Sequence, residues 1–180
     1  MRIPSTPHSQ DLPVWYSVVN QESASHHIFK MSLPTAEQVQ EVQEAWKLVQ
    51  PDFDGAGRVL FTVMFEKFPS YEDFFKKHKE SNKSLLDSTT LQPHIRLVMK
   101  TLDYLVVNLN DMSVVEERLV KLGQTHKGRN VKSPQFNHIV EIVLETLRRA
   151  LGPKLTPGLE ASWKAVLNCA MTIAGNEADK

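Results

Sequence analysis

Apolar side chains recur at steps of three and four residues along most of the chain after residue 34, which is the spacing of one face of an α-helix. Six segments show this period clearly, and a short turn over 71–75 separates the second from the third. No stretch of roughly four to eight residues alternates apolar and polar side chains between turn residues, so no sheet is predicted. The pattern therefore predicts an all-α fold of about seven to eight helices. The six clear segments span residues 35–49, 54–68, 90–109, 113–126, 133–152 and 156–175.

Capping residues and prolines mark the ends of these helices. Thr35 can cap the first helix, and Ser113 with Glu116 forms a predicted capping box at the start of the helix over 113–126. Pro134 suits the first turn of the next helix, since proline lacks the N–H that this turn leaves unpaired. Gly175 follows the last periodic residues, and we expect the final helix to stop near it.

The first 34 residues differ in composition from the rest of the chain. They hold four of the ten prolines and only four charged residues, and they show neither a helical nor a strand period. One short apolar run, Leu12–Tyr16, is a candidate for docking on the domain or on a partner. We therefore predict a mobile N-terminal extension over 1–34, followed by one domain over 35–180, a length that suits a single hydrophobic core.

The charge and cysteine content exclude several classes of function. Lys plus Arg number 21 and Asp plus Glu number 21, so no broad positive field is present to attract nucleic acid or anionic lipid. No segment approaches the roughly 20 apolar residues of a membrane span, and the start lacks the apolar run of a signal peptide. Cys169 is the single cysteine, which excludes an internal disulfide and any site with several thiolates. We expect a cytoplasmic protein without a nucleic-acid or membrane partner.

Two of the seven histidines fall on apolar helix faces. His94 opens the face of the helix over 90–109, and His126 closes the face of the next helix after Leu119 and Leu122. A single such histidine is more often a core residue whose nitrogens are satisfied by neighbours. Two on separate helices favour a shared metal, because burying an unpartnered polar ring costs about 1–3 kcal/mol. The remaining histidines, His8, His26, His27, His78 and His138, are predicted to be exposed.

The identity of that shared partner stays open. No carboxylate or cysteine lies on the same faces as His94 and His126, so a zinc ion would lack part of its usual set of protein ligands. Haem brings four nitrogen ligands of its own and needs only axial imidazole from the protein. The residues alone therefore favour haem over zinc, and they leave plain core packing as a third interpretation.

Several motifs of the chain resemble those of the globins. They are Trp46, Phe61, Pro69 followed by Phe75, the run Pro93–Arg96 and the run Leu122–His126. Within that family, the runs His94–Met99, Leu122–Lys132 and Leu151–Pro157 are most similar to neuroglobin. The resemblance covers residues 35–175 and depends on many spaced positions, so it is specific.

The resemblance implies a pocket for haem b and a role for each matching residue. His126 corresponds to the proximal iron ligand. His94 corresponds to the distal histidine, which in neuroglobin-like globins binds the iron itself or donates a hydrogen bond to bound oxygen. Val98, one turn after His94, would crowd the gas-binding side. The side chains that would contact the haem or line its pocket are Phe61, Phe75, Val98, Leu122, Val131, Phe136 and Ile139.

Two features depart from neuroglobin. Leu97 stands where neuroglobin has a lysine near the haem propionates, so that link falls to Arg96 or Lys100 in this chain. The connection over 76–88 contains no cysteine, so the cysteine pair with which some neuroglobins tune this loop is absent. Redox control by a disulfide within the chain is therefore excluded.

By resemblance, the expected function is reversible binding of oxygen, and of carbon monoxide and nitric oxide, at an iron that both histidines can ligate. This suits oxygen storage or sensing, or a redox role, better than bulk oxygen transport. An alternative is an enzyme, a nitric oxide dioxygenase or a nitrite reductase, which would need a partner reductase because the chain has no flavin or nicotinamide motif. A haem-free helical interaction module is the third hypothesis.

Overall fold

The computed structural model describes residues 33–180, and this part of the chain is helical, with no strand. Its α-helices are α1 (Ala36–Trp46), α2 (Phe53–Lys67), α3 (Gln92–Val107), α4 (Met112–Lys127), α5 (Ser133–Leu151) and α6 (Pro157–Asp179). Shorter 3-10 segments lie at Gln50–Asp52, Pro69–His78, Leu85–Asp87 and Gly152–Lys154. The predicted all-α fold is confirmed, and the segment Pro69–His78 covers the turn predicted over 71–75. The predicted extension over 1–34, with its apolar run Leu12–Tyr16, lies outside the described residues except for its last two.

Helix starts follow the capping signals with one exception. Thr35 caps α1 in a capping box with Gln38, as predicted. The box predicted at Ser113 is wrong, because Asp111, two residues earlier, is the cap of α4 and accepts from the Val114 N–H. Ser113 lies inside the first turn and donates its hydroxyl hydrogen to Asp111 Oδ1 at 2.6 Å. Both residues are of capping type, so the path of the preceding loop decides which one is used.

The core lies where α6 packs along α4 and α5 and crosses α1, while α2 packs against α3 and α5. Trp163 of α6 is only 1% exposed, and its ring centroid is 5.7 Å from that of Trp46. Trp46 also donates from Nε1 to Asp103 of α3 at 2.9 Å. These contacts fix α1, α3 and α6 relative to one another. They leave α3 and α4 as facing walls of the cavity described below.

The last helix is longer than predicted. It continues through Gly175 to Asp179, because Gly175 lies at a helix contact and is not a stop: a Cβ atom there would stand 3.1 Å from the Cα of Ser133. Asp179 accepts hydrogen bonds from the backbone N–H and the hydroxyl of Ser133. Lys132 donates from Nζ to the Ala178 carbonyl at 3.0 Å. The end of α6 therefore holds the start of α5.

Glu80 organises the polar connection that leads into α3. Its carboxylate accepts from the Thr89 N–H at 2.7 Å, from the Thr89 hydroxyl at 2.8 Å and from the Ser88 hydroxyl at 3.1 Å. Hydrogen bonds from Lys83 and Thr89 hold the pKa of this carboxyl at about 2. The connection therefore delivers the chain to the start of α3, where His94 lies, along a defined path.

Candidate functional site

A cavity of about 350 Å³ separates α3 from α4, and side chains of α5 and α6 complete its wall. The volume lies within the range of about 300–1,000 Å³ that is usual for small-molecule and cofactor sites. Its apolar wall includes Val98, Leu102 and Leu105 of α3, Phe136 and Ile139 of α5, and Met171 of α6. His94 and His126 enter this wall from α3 and α4 respectively. The structure therefore brings the two predicted histidines to one apolar cavity.

His126 lies in the last turn of α4 with its ring orientation fixed by the backbone. Its Nδ1 atom is 2.9 Å from the Leu122 carbonyl oxygen, which can only accept, so Nδ1 carries the hydrogen. Nε2 is then the nitrogen with a free lone pair. Burial lowers the pKa of His126, and Arg129 lowers it further, while the hydrogen bond to Leu122 acts in the opposite direction. A neutral ring with one nitrogen engaged is the form in which histidine binds a metal ion.

His94 lies across the cavity, in the first turn of α3. Burial lowers its pKa to about 4, and repulsion from His126 in its protonated form adds to this effect, so the ring is neutral at pH 7. Its ring packs against Phe61 and Phe75, with centroid distances of 5.9 and 5.5 Å. Neither ring nitrogen has a hydrogen-bond partner within residues 33–180. The imidazole is thus partly buried and neutral, and no other residue of 33–180 engages its nitrogens.

The other predicted site residues fall into three positions. Val98, Leu122, Phe136 and Ile139 line the cavity. Phe61 and Phe75 lie behind His94 and are not among the lining residues; Phe61 is fully buried, and its ring is 5.6 Å from that of Phe75. Val131 is partly buried against the core, also outside the lining.

A set of basic residues at the cavity was missed by the sequence reasoning. Arg118, Lys121 and Arg129 contribute to its wall, together with Thr125 between them. Arg118, Lys121 and Thr125 follow steps of three and four along α4, so they form a polar stripe beside the apolar one that ends at His126. Arg129 continues this stripe in the turn after the helix. That periodicity is the signal that could have found them.

The two basic residues first considered for the propionates do not reach the cavity. Arg96 forms an ion pair with Asp54 of α2, with 3.0 Å between Nε and Oδ1. Neither Arg96 nor Lys100 is among the lining residues, whereas Leu97 is, and its side chain is half exposed. Arg96 and Lys100 thus lie outside the cavity wall, and their expected link to the haem carboxylates stays a prediction. The positive charges at the cavity come from α4 and from the turn that follows it.

His138, predicted to be an exposed histidine, is half-buried. Its ring stacks on Phe68 with centroids 4.1 Å apart and planes at 12°. Its Nδ1 atom is hydrogen-bonded to the hydroxyl of Tyr71, a residue 67 positions earlier in the chain. Local periodicity could not reveal this contact, because both partners come from a distant segment.

The donor set of the cavity fits haem better than a bare metal ion. Among residues 33–180, no group of three or more His, Cys, Asp or Glu side chains is placed to hold a metal ion. Two imidazoles at one cavity would supply the protein ligands of a haem, which brings four nitrogens itself. The apolar wall suits the porphyrin ring, and its two carboxylates suit the basic residues Arg118, Lys121 and Arg129.

Among the helices of residues 33–180, none combines the length and the apolar composition that a membrane span requires.

Comparisons with solved structures agree with this fold. The chain is similar to the haemoglobin of the botfly Gasterophilus intestinalis, with a TM-score of 0.71 and 20% identity over 81% of this chain and 99% of that one. It is also similar to a hexacoordinated haem protein from an anhydrobiotic tardigrade, with a TM-score of 0.72 and 16% identity over 81% and 96%.

Sequence comparisons identify the family. Cytoglobin-1 of Oryzias latipes is 29% identical over 142 residues, which cover 76% of this chain and 80% of that protein. Cytoglobin-2 of Danio rerio is 26% identical over 129 residues, covering 70% and 72%. The family model described as Globin matches residues 58–173. The chain therefore belongs to the globin family, whose members bind haem and, through it, oxygen and other small gases.

Proposed function

We propose that this globin binds oxygen, carbon monoxide and nitric oxide reversibly at a haem b, with both His126 and His94 on the iron when no gas is bound. The observation that carries the proposal is the pair of partly buried, neutral imidazoles facing one apolar cavity from two helices. When bound there, haem supplies an iron to which a diatomic gas can bind. The chain's own residues decide how the haem is held and how easily a gas reaches it.

His126 is proposed as the permanent ligand. The Leu122 carbonyl holds the hydrogen on Nδ1 and thereby presents Nε2 to the cavity. Such a partner fixes the orientation of a ligating histidine and increases its basicity. The ring also packs edge-on against Phe136 at 5.6 Å, which restricts its rotation.

His94 is proposed as a ligand that a gas must displace. Its nitrogens have no partner among residues 33–180, so binding to iron would satisfy one of them. An internal ligand lowers the apparent affinity for an external one by the fraction of protein in the open state. This behaviour suits sensing, storage or a redox role better than bulk transport. The tardigrade protein of the same fold is named as hexacoordinated, which agrees with this proposal.

The haem is proposed to be held without covalent attachment to the chain. The single cysteine, Cys169, is not among the lining residues, so no thioether link to the porphyrin is available from the cavity wall. We propose that the two haem carboxylates are bound by Arg118, Lys121 and Arg129. These residues would take the role of the neuroglobin lysine, whose position Leu97 occupies in this chain. Non-covalent haem with histidine ligands corresponds to haem b.

We propose a cytoplasmic location because the single cysteine is a reduced thiol. Burial raises the pKa of the Cys169 thiol to about 11, so it stays protonated and unreactive at neutral pH. With a single cysteine the chain forms no internal disulfide and needs no oxidising compartment. Fractionation of cells that express the full chain would test this, and recovery with secreted proteins would contradict it.

The visible spectrum of purified protein tests the ligand set. The ferrous protein without gas is expected to show the sharp, low-spin bands of six-coordinate haem. In His94→Leu the same preparation is expected to show one broad five-coordinate band while keeping its haem. A five-coordinate spectrum in the unaltered protein would contradict ligation by His94. Failure to take up haem at all would contradict the whole proposal and favour a haem-free interaction module.

Enzymatic use of the same site is the second candidate. The three basic residues at the cavity exceed the two haem carboxylates by one positive charge, which would attract an anion such as nitrite or an acidic surface of a partner reductase. Such a reductase is required because the chain carries no flavin or nicotinamide motif. Repeated turnover of nitrite, or of nitric oxide with oxygen, in the presence of a reductase would support this candidate. If the unaltered protein completes only one turnover, and His94→Leu, with its more open iron site, reacts no faster, gas binding stands as the function.

A further inference from the structure

One turn of α5 holds the end of α2 and the turn that follows it. His138 of α5 stacks on Phe68 with centroids 4.1 Å apart, and its Nδ1 is hydrogen-bonded to the Tyr71 hydroxyl. Glu141, three residues further along α5, forms an ion pair with Lys67 at 2.6 Å. Phe68 is the residue that leads into the segment Pro69–His78, so α5 holds this segment at its first turn.

The hydrogen bond with His138 satisfies the buried hydroxyl of Tyr71. Tyr71 is only 8% exposed, and its hydroxyl has no other hydrogen-bond partner among residues 33–180. Donation of the phenol hydrogen to Nδ1 of His138 is therefore the arrangement that leaves no hydrogen of this hydroxyl unpaired. Without this acceptor the phenol would be buried with an unsatisfied donor, and about 1–3 kcal/mol would be lost. A plain aromatic residue at 138 could supply the stacking but not the acceptor.

The same segment carries a side chain that contacts the cavity histidine. Phe75, four residues after Tyr71, lies 5.5 Å from His94 between ring centroids. It also packs edge-on against Phe61 at 5.6 Å and Phe65 at 5.7 Å. The position of Phe75 therefore depends on α2 on one side and on the path of its own segment on the other.

We propose that His138 is a positioning residue: by holding Tyr71 and Phe68 it fixes the segment Pro69–His78, and through Phe75 it limits the movement of His94. The part concerning the iron rests on the proposed function, whereas the restraint on the segment does not. His138 itself does not line the cavity, so its effect on His94 passes through the segment. Loosening the segment is expected to let the His94 ring leave its position more often.

Paired substitutions separate the hydrogen bond from the stacking. Tyr71→Phe removes the donor, and His138→Phe removes the acceptor while keeping a ring on Phe68. His138→Asn returns an acceptor close to the place of Nδ1. Glu141→Gln is the matched control, because it breaks the neighbouring ion pair with Lys67 and leaves the aromatic contacts in place. Urea unfolding of each variant identifies any that fail to fold.

The first measurement is hydrogen exchange of the backbone amides of 69–78 in the haem-free protein. Tyr71→Phe and His138→Phe are expected to speed exchange in this segment about three- to tenfold, the effect of losing one ordinary hydrogen bond. His138→Asn is expected to recover part of the protection, and Glu141→Gln to leave it unchanged. Unchanged exchange in both Tyr71→Phe and His138→Phe would overturn the restraint itself.

The second measurement reads out His94 in the haem-loaded protein. At saturating carbon monoxide, binding is limited by release of His94, and the same two variants are expected to raise this rate about three- to tenfold. The infrared band of bound carbon monoxide is also expected to broaden, because it senses the distal side chain whether or not that side chain ligates the iron. If the ferrous protein proves five-coordinate, the proposed bis-histidine state fails and the infrared band alone judges the restraint. Faster exchange with an unchanged rate and band would overturn the link to His94.

Discussion

Gly123 of α4 and Ala174 of α6 lie so close that a Cβ atom on the glycine would stand 2.3 Å from the Ala174 carbonyl oxygen. Backbone atoms cannot withdraw as a flexible side chain can, so the two helices would have to move apart. Gly123→Ala is therefore expected to destabilise the protein by about 1–3 kcal/mol, although alanine usually favours a helix over glycine. The free energy of unfolding in urea measures this effect.

Gly128 provides the matched control for that substitution. It ends α4, has an ordinary backbone conformation, and a Cβ there would meet no atom within 4 Å. Gly128→Ala is expected to change the free energy of unfolding by less than about 0.5 kcal/mol. Equal effects at the two glycines would show that their contacts do not matter.

Removal of the proposed permanent ligand should abolish haem retention. Loss of a residue that hydrogen-bonds to a metal ligand typically weakens metal binding roughly 10- to 100-fold. His126→Ala removes the proposed ligand itself, so it is expected to weaken haem binding by more than this factor. His78→Ala is the control, since His78 lies outside the cavity wall and bonds to the Thr90 hydroxyl. Transfer of haem to an excess of a haem-binding acceptor protein gives the rates. Retention of haem by His126→Ala at the unaltered rate would contradict the assignment.

The haem-free protein should lose stability in mild acid because of His94. In the folded chain the pKa of His94 is about 4, below its ordinary value of 6.5, so the unfolded chain takes up a proton first. The free energy of unfolding therefore falls as the pH drops from 6.5 toward 4, because only the unfolded chain binds the proton in this interval. His94→Leu should show a smaller fall in the free energy of unfolding between these values. Identical pH profiles for the two proteins would contradict this prediction.

The basic stripe of α4 should slow the loss of haem. Arg118→Gln is expected to speed haem dissociation up to about fivefold at low salt, the upper range for one exposed charge pair, and less at high salt. Arg96→Gln is the control, because Arg96 is engaged by Asp54 and lies outside the cavity wall. If both substitutions increase the rate of haem dissociation equally, the cause is the change in net charge and not the position of Arg118 at the cavity.

The helices and the two cavity histidines follow from local pattern. On α5, for example, the three- and four-residue period places Phe136, Ile139, Val140, Val143 and Leu147 on the inner face, and all are buried except Ile139, which is partly buried against the core. His94 and His126 were found in the same way, as polar side chains on otherwise apolar faces. Such signals need only a few neighbouring residues of the same helix, so they are readable without tertiary structure.

Features that depend on distant partners were missed. Arg96 was a candidate for the haem carboxylates, but Asp54, 42 positions earlier, engages it. The role of His138 depends on Tyr71, which local pattern does not link to it. A glycine such as Gly175 can either end a helix or allow close contact with a neighbouring helix, and the sequence does not distinguish these two roles. The close approach of Ser133 shows that Gly175 has the second role.

The bond between Asp179 and Ser133 has a consequence for biosynthesis. The two residues are 46 positions apart. The first turn of α5, which carries Phe136 of the cavity wall, therefore lacks this hydrogen bond until α6 has been synthesised. At the usual speed of translation this interval lasts roughly 2–9 s. During that time the nascent chain has both histidines but an unfinished wall. Stable capture of haem is therefore expected only after residue 179 has left the ribosome.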